Sequence, residues 1–324
     1  MSNGETNWFD LGLPGRAILG KVPGSRAPRT PTAAPDPDRP SPLGCGVPLW
    51  CGPVDARTFL GMEPDGDDLH WHMRVRPQLT TPGNFLFGGC ALGAALVALE
   101  AASGRPTIWA TGQYLSYALT DSELQWEVTL AAAGRHVTQG RAVGRVAGRE
   151  ILTVNAALGK DDLEVGGVWV QPPDVPPPED CPSRFLPEMF RDTIMDSIEV
   201  RSARGRSFEE MDGTPGSPDS ALWARVPGHL SPSAAALAIV GDYVSGASSQ
   251  PIGLHAMGRS LDNTLRMVQL KPTEWVLCDI RIHALVGGYA QGIAFLWSED
   301  GDLLATASQS IAVRLWPEDA VLPR

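Results

Sequence analysis

From Gly89 to Ser103 the chain reads GCALGAALVALEAAS, small and apolar on nearly every helical face, with one carboxylate at Glu100. A helix without a polar face has to be covered on all sides, and a sheet curled around it also gives that sheet's inner face a partner. The pattern then recurs. SPSAAALAIVGDYVSG (231–246) reads as a second buried helix, with Ser231 or Ser233 as N-cap and Pro232 near the first turn. Strand-like LHWHMRVRP (69–77) precedes the first helix. Period-two text follows it: QWEVTL (125–130), with Trp126, Val128 and Leu130 on one face, then GRAVGRVAG (140–148) and EILTVNAALG (150–159), turning at Ala147-Gly148. Three strand-like runs follow the second helix: EWVLCDIRIHAL (274–285), YAQGIAFLWSEDG (289–301) and DLLATASQSIAVRL (302–315). VALEAASG (97–104) aligns with IVGDYVSG (239–246), setting Glu100 opposite Asp242, and residues 138–157 align with 290–309 with one inserted residue. Self-similarity on this scale predicts a duplicated α+β unit, each copy an antiparallel sheet around one apolar helix.

Two proline-rich segments frame the copies. Residues 1–54 include KVPGSRAPRTPTAAPDPDRPSPLG and read as an extended, partly disordered arm. VQPPDVPPPEDCP (170–182) reads as a stiff interdomain spacer. The expected division is an arm (1–54), an N-terminal domain (55–165), a linker (166–182), a C-terminal domain (183–316) and a tail (317–324). The 26 basic and 37 acidic residues leave a net charge of −11 with no basic run, which argues against nucleic acid and anionic membranes as partners. No apolar run is long enough to span a bilayer, and the first residues, MSNGETNWFDLGLPG, lack a signal-peptide pattern. Five scattered cysteines without CxxC or Cys/His spacing predict reduced thiols, a cytoplasmic location and no zinc site; Cys45 and Cys51 have no partner histidine nearby.

Asp242 is the only formally charged residue between Arg225 and Arg259. A buried, isolated carboxylate costs several kcal/mol, so it persists only with partners or a task. An arginine in a seam between the copies would be one such partner, and polar groups in a pocket another. His70 and His72 share a strand face around Trp71 without a visible third metal ligand, and His136 sits at a turn-to-strand junction. No G-x-S-x-G nucleophile elbow and no phosphate-binding G-x-x-x-x-G-K-[ST] loop is present.

Over residues 55–316 the chain resembles the acyl-CoA thioesterase II family. The resemblance rests on FLFGGCALGAAL at the first helix, AGREILTVNAAL, LAIVGDY, GRSLDNTLRM, EWVLCDI and GDLLATASQSIAVRL, taken in that order and spacing. It implies a double hotdog fold of two antiparallel sheets, each wrapped around a central apolar helix. It also implies an acyl-CoA thioesterase that needs no cofactor or metal and associates as a homo-oligomer. By position, the family's catalytic Asp–Thr–Gln set falls on Asp242, Ser260 and Gln309. The sequence departs from the family at Asn263, where the family has His, and at VQL (268–270), where it has an aromatic–His–Arg stretch.

A thioester needs a held water, a proton acceptor and donors for the developing oxyanion. Asp242 would orient or deprotonate the water, with Ser260 and Gln309 holding both. Phe87, Gly88 and Gly89 at the first helix start and Tyr243 beside the carboxylate are the candidate substrate-binding residues. Free N–H groups near Gly88–Gly89 or Ser231–Ala234 are candidate oxyanion donors, and glycine admits a pantetheine arm. The substrate would be a CoA or acyl-carrier thioester. Arg135, Arg141, Arg145 and Arg149 surround the first strand pair, while Arg259, Arg266 and Lys271 flank Ser260, with no phosphate site assigned among them. Plain structural roles stay open beside these: Ser260 capping a helix over SLDNTLRM, Gln309 facing solvent, Glu100 as a structural acid. Two other functions also stay open. One is a non-hydrolytic binder of acyl thioesters or polyketide-like ligands. The other is a dehydratase or hydratase, which would need His136 beside Asp242 or Glu100.

Overall fold

A computed structural model describes residues 55–161, 163–226 and 231–316; the N-terminal arm with Cys45 and Cys51, His229 and the tail lie outside the described residues. The first half contains α1 (Ala56–Leu60), β1 (Glu63–Pro64), β2 (His70–Arg74), α2 (Gly88–Ser103), β3 (Thr107–Tyr114), β4 (Glu123–Ala133), β5 (Val137–Val146) and β6 (Arg149–Gly159). The second contains α3 (Ile194–Ser197), β7 (Glu199–Arg204), β8 (Asp219–Arg225), α4 (Ala234–Val240), α5 (Ser249–Ile252), β9 (Ala256–Ser260), β10 (Asp262–Met267), β11 (Val276–Val286), β12 (Tyr289–Ser298) and β13 (Leu303–Leu315).

The strands form one antiparallel sheet rather than two. Its order is β1-β2-β4-β5-β6-β3-β10-β13-β12-β11-β8-β7, with β9 paired to β13. The two halves join where β3 pairs β10, with Asn263 opposite Gly112 and Thr264 opposite Thr111. The expected separate sheets therefore merge, because the edge strand of each half satisfies its backbone groups on the other. The hairpin between β5 and β6 turns through Ala147 (φ 48°) and Gly148 (φ 79°), a two-residue turn of the kind that favours glycine at its second position. Residues 256–267 are β9 and β10, so Ser260 caps no helix.

α2 lies on β3, β4, β5 and β6 and also against α4. Its residues from Gly89 to Leu96 are all buried, as the absence of a polar face requires. α4 is shorter than the sequence pattern suggests. Ser233 Oγ caps it by accepting from Ala236 N at 3.1 Å, and it ends at Val240, so Asp242 stands in the following turn. That turn sits on the second half's strands, where Cys278 Sγ donates to Val240 O at 3.2 Å. The outer face of the second half carries its own cluster of Trp223, Trp275, Leu277, Trp297 and Leu303. The proline-rich segment packs there: Val175 lies against the cluster, and Trp223 Nε1 donates to Pro176 O at 2.9 Å.

α2 and α4 meet through glycine. A β-carbon at Gly89 would lie 2.7 Å from Ala238 O and 2.9 Å from Ile239 Cα, and one at Gly93 would lie 3.0 Å from Ala235 O. Backbone atoms on both sides leave no flexible group to yield. Gly89→Ala is expected to destabilise the fold by about 1–3 kcal/mol, with Gly93→Ala milder, as overpacking of a close-packed core does; urea unfolding of both variants measures it.

Candidate functional site

The start of α2 is a set of unsatisfied donors. Phe87 occupies the N-cap with no side-chain capping bond, so the first backbone N–H groups need acceptors from elsewhere. The Gly89 N–H finds one 153 residues along the chain, donating to Asp242 Oδ2 at 2.6 Å. Asp242 thus caps α2 from the other half of the molecule, where the positive end of the helix dipole favours a carboxylate. Among the described residues no group accepts from the Gly88 or Cys90 N–H. Glycine is also required at Gly88, where a β-carbon would lie 2.9 Å from Asp242 Oδ2 and 3.0 Å from Tyr114 Oη. The Tyr114 hydroxyl donates to Gly88 O at 2.8 Å.

The other carboxylate oxygen takes two amides. Asn263 Nδ2 donates to Asp242 Oδ1 at 3.2 Å, and Gln309 Nε2 donates to the same atom. Gln309 is engaged at both ends, since its Oε1 accepts from Ser245 N at 3.0 Å. Strand register explains the meeting. Thr264 pairs with Ser308, so the preceding residue on β10, Asn263, comes abreast of Gln309 on β13. All three side chains belong to buried residues: Asp242 is 4 % exposed, Gln309 3 % and Asn263 1 %. Burial is the largest influence on Asp242 and pushes its pKa up to about 7, against the opposing pull of Gln309, Gly89 and Asn263. Burial likewise raises Cys90, Tyr114 and Tyr243, so these neighbours are uncharged near neutral pH.

The structure thus brings Asp242, Gln309 and Gly89 together, with Gly88 and Phe87 at the same helix start. No arginine reaches the Asp242 carboxylate among the described residues, and Gln309 does not face solvent. Ser260 is not in this set. It pairs with Ile311, two residues beyond Gln309 on β13 and on the same face, and among the described residues no hydrogen bond joins it to Asp242. Asn263 fills that place instead. The sequence marks Asn263 only as a departure from the family's His; its place beside Gln309 depends on pairing between two strands distant in the chain. Tyr243 is buried next to Asp242 with the Arg184 guanidinium over its ring, 5.6 Å from the centroid.

The acids and histidines outside the set have other partners. Glu100 Oε1 accepts from Thr107 N at 2.8 Å and Thr107 Oγ1 at 2.7 Å, which ties α2 to the start of β3. His136 lies 3.7 Å from Asp161 and meets neither Glu100 nor Asp242. His72 sits 3.7 Å from Glu63 and 3.9 Å from Glu123. Among the described residues no cluster of His, Cys, Asp or Glu could hold a metal ion, and Cys90, Cys181 and Cys278 are free. No described helix is long and apolar enough to cross a membrane. A groove of about 340 Å³ lined by Trp109, Thr111, Thr264 and Arg266 lies across the β3–β10 junction. Side chains alternate along a strand, so it opens on the sheet face opposite Asn263 and is separate from the Asp242 set.

The Asp242 shift has a consequence for stability. Between pH 4 and 7 the folded carboxyl retains a proton that the unfolded chain has lost, so folding stability falls as pH rises through this window. At about 1.4 kcal/mol per pKa unit the full effect is about 4 kcal/mol, reached above pH 7. Subtracting the stability of Asp242→Asn, measured by urea unfolding across pH, isolates this decline from every other titration.

The model of the acyl-CoA thioesterase C-terminal domain matches residues 172–313. The structure of a protein described as a thioesterase from Novosphingobium aromaticivorans is 32% identical; the match covers 77% of this chain and 97% of that one, with a TM-score of 0.69. A hot dog fold protein of unknown function from Alicyclobacillus acidocaldarius is 21% identical over 81% of this chain and 98% of its own, with a TM-score of 0.70. Acyl-CoA thioesterase II TesB2 from Mycobacterium marinum is 19% identical over 81% of this chain and 99% of its own, with a TM-score of 0.62. No curated protein sequence matches.

Proposed function

Because the chain belongs to the acyl-CoA thioesterase II family and is a thioester hydrolase, we propose that it cleaves acyl-CoA or acyl-carrier thioesters with a water activated by Asp242. The observation that carries this reading is a buried carboxylate with a pKa of about 7, held by backbone and amide donors alone. A guanidinium partner would pin such a group as a permanent anion. Without one, Asp242 can take up and release a proton near neutral pH, which a general base must do.

In this mechanism the water oxygen attacks the thioester carbonyl carbon while Asp242 takes one of its protons. The oxyanion meets the N–H groups at the start of α2, those of Gly88 and Cys90, aided by the helix dipole. The intermediate collapses with cleavage of the C–S bond, and the proton on Asp242 passes to the departing sulfur. The products are the free acid and the CoA or carrier thiol, and no covalent enzyme intermediate forms. Gln309 steadies the carboxylate, with its own oxygen anchored on Ser245 N–H. Ser260, further along the same face, and Phe87, Gly88, Gly89 and Tyr243 are assigned to the acyl thioester. We further read residues 55–165 and 183–316 as two hotdog units, with α2 and α4 as their central helices, and the assembly as a homo-oligomer. The dehydratase alternative needs a histidine paired with Asp242 or Glu100, and neither has one among the described residues.

Asp242→Asn is expected to lower thiol release from acyl-CoA by about 10²–10⁴-fold, the usual worth of a general base, in a protein that still folds. For the wild type, kcat/KM should rise with pH and level off above about pH 7, since Asp242 acts only when ionised. A wild-type protein that binds acyl-CoA tightly yet releases no thiol from any CoA or carrier thioester would instead be a ligand binder.

A further inference from the structure

One atom of the Asp242 set has no protein partner. Among the described residues no group donates to Asn263 Oδ1, although the residue is 1 % exposed. A buried acceptor left unpaired forfeits its hydration without a replacement, so its retention calls for an explanation. The orientation of the amide is fixed by its surroundings. Its Nδ2 faces the carboxylate oxygen it donates to, so Oδ1, the other arm of the planar amide, points away from that oxygen.

The attacking water has two protons, and Asp242 accepts only one. Two nearby acceptors are already engaged: Asp242 Oδ1 receives two amide donors, and Gln309 Oε1 receives Ser245 N–H. Asp242 Oδ2 receives only the Gly89 N–H and retains a lone pair for a water at the start of α2. Resting on the hydrolytic reading above, we infer that Asn263 Oδ1 is the water's second acceptor, holding the proton that Asp242 does not remove. Asn263 then does two things at once, steadying the base through Nδ2 and aiming the nucleophile's lone pair through Oδ1. Its oxygen touches the reacting water, which makes Asn263 a catalytic residue rather than only a support for Asp242.

Methanol separates these two roles, because it has one transferable proton and a methyl group where water has its second proton. Attack by methanol needs Asp242 but has no use for the Asn263 acceptor. Wild type, Asn263→Ala, Asn263→Leu and Asp242→Asn are compared on decanoyl-CoA in buffered methanol–water. Thiol release measures total turnover, and decanoic acid against methyl decanoate measures the partition. The Asn263 variants are expected to lose about 10–100-fold in hydrolysis, the worth of an oriented hydrogen bond to the nucleophile. Methanolysis should fall less, so the ester-to-acid ratio rises about tenfold. The leucine variant keeps the side-chain volume and the alanine variant avoids an apolar branch beside the carboxylate, so either one, if folded, reads the ratio. An unchanged ratio with both products reduced would mean that Asn263 acts only through Asp242, and unchanged hydrolysis would remove it from the reaction; either result overturns the inference. Full turnover by Asp242→Asn, by contrast, would remove the proposed base itself, whatever the Asn263 variants do.

Discussion

The backbone of α2 approaches that of α4 at Gly89 so closely that a single β-carbon would strike Ala238 O. This contact decides what the rest of the interior can be. It brings the uncapped donors at the start of α2 within reach of the turn that follows α4. The Asp242 carboxylate can then complete the helix as a cap supplied from the other half of the chain. A bulkier pair of helices would stand farther apart, leaving the donors without an acceptor and the carboxylate with only its two amides.

The environment made by that contact is buried and polar, with no arginine on the carboxylate among the described residues. Burial raises the carboxylate's pKa, while the amides and the helix end restrain the rise. A carboxylate paired with an arginine in the same place would have ended far lower. Under the proposed hydrolysis the base is a group that changes protonation near neutral pH, and geometry rather than an unusual residue would provide it. The unpaired oxygen of Asn263 stands beside a carboxylate and an amide whose own contacts are made, Asp242 Oδ1 with two donors and Gln309 at both ends.

The two carboxylates that align in the sequence are used differently. Glu100 aligns with Asp242 in the repeat, yet its carboxylate closes on Thr107 and fastens α2 to β3. The first half therefore contributes the helix end and the second half the carboxylate and amides. The single sheet makes this division possible, since the β3–β10 pairing holds the halves in one register.

Much of the fold was legible in the chain. The all-apolar helices, the period-two strands around Trp126 and after Trp275 and the turn at Ala147-Gly148 all follow from local pattern, because burial acts on every residue of an element at once. Asp242 was visible for the same reason, as a charge where the pattern allows none. What tertiary structure decided was non-local. α4 ends early, at Val240, and the sheets unite by edge-strand pairing. Asn263, rather than Ser260, meets Asp242 because of the register between β10 and β13, which no short stretch of sequence encodes. Sequence by itself determined which residues must be buried; only the pairing of distant strands determined which buried polar atoms meet, because a hydrogen bond depends on a few ångströms that periodicity cannot specify.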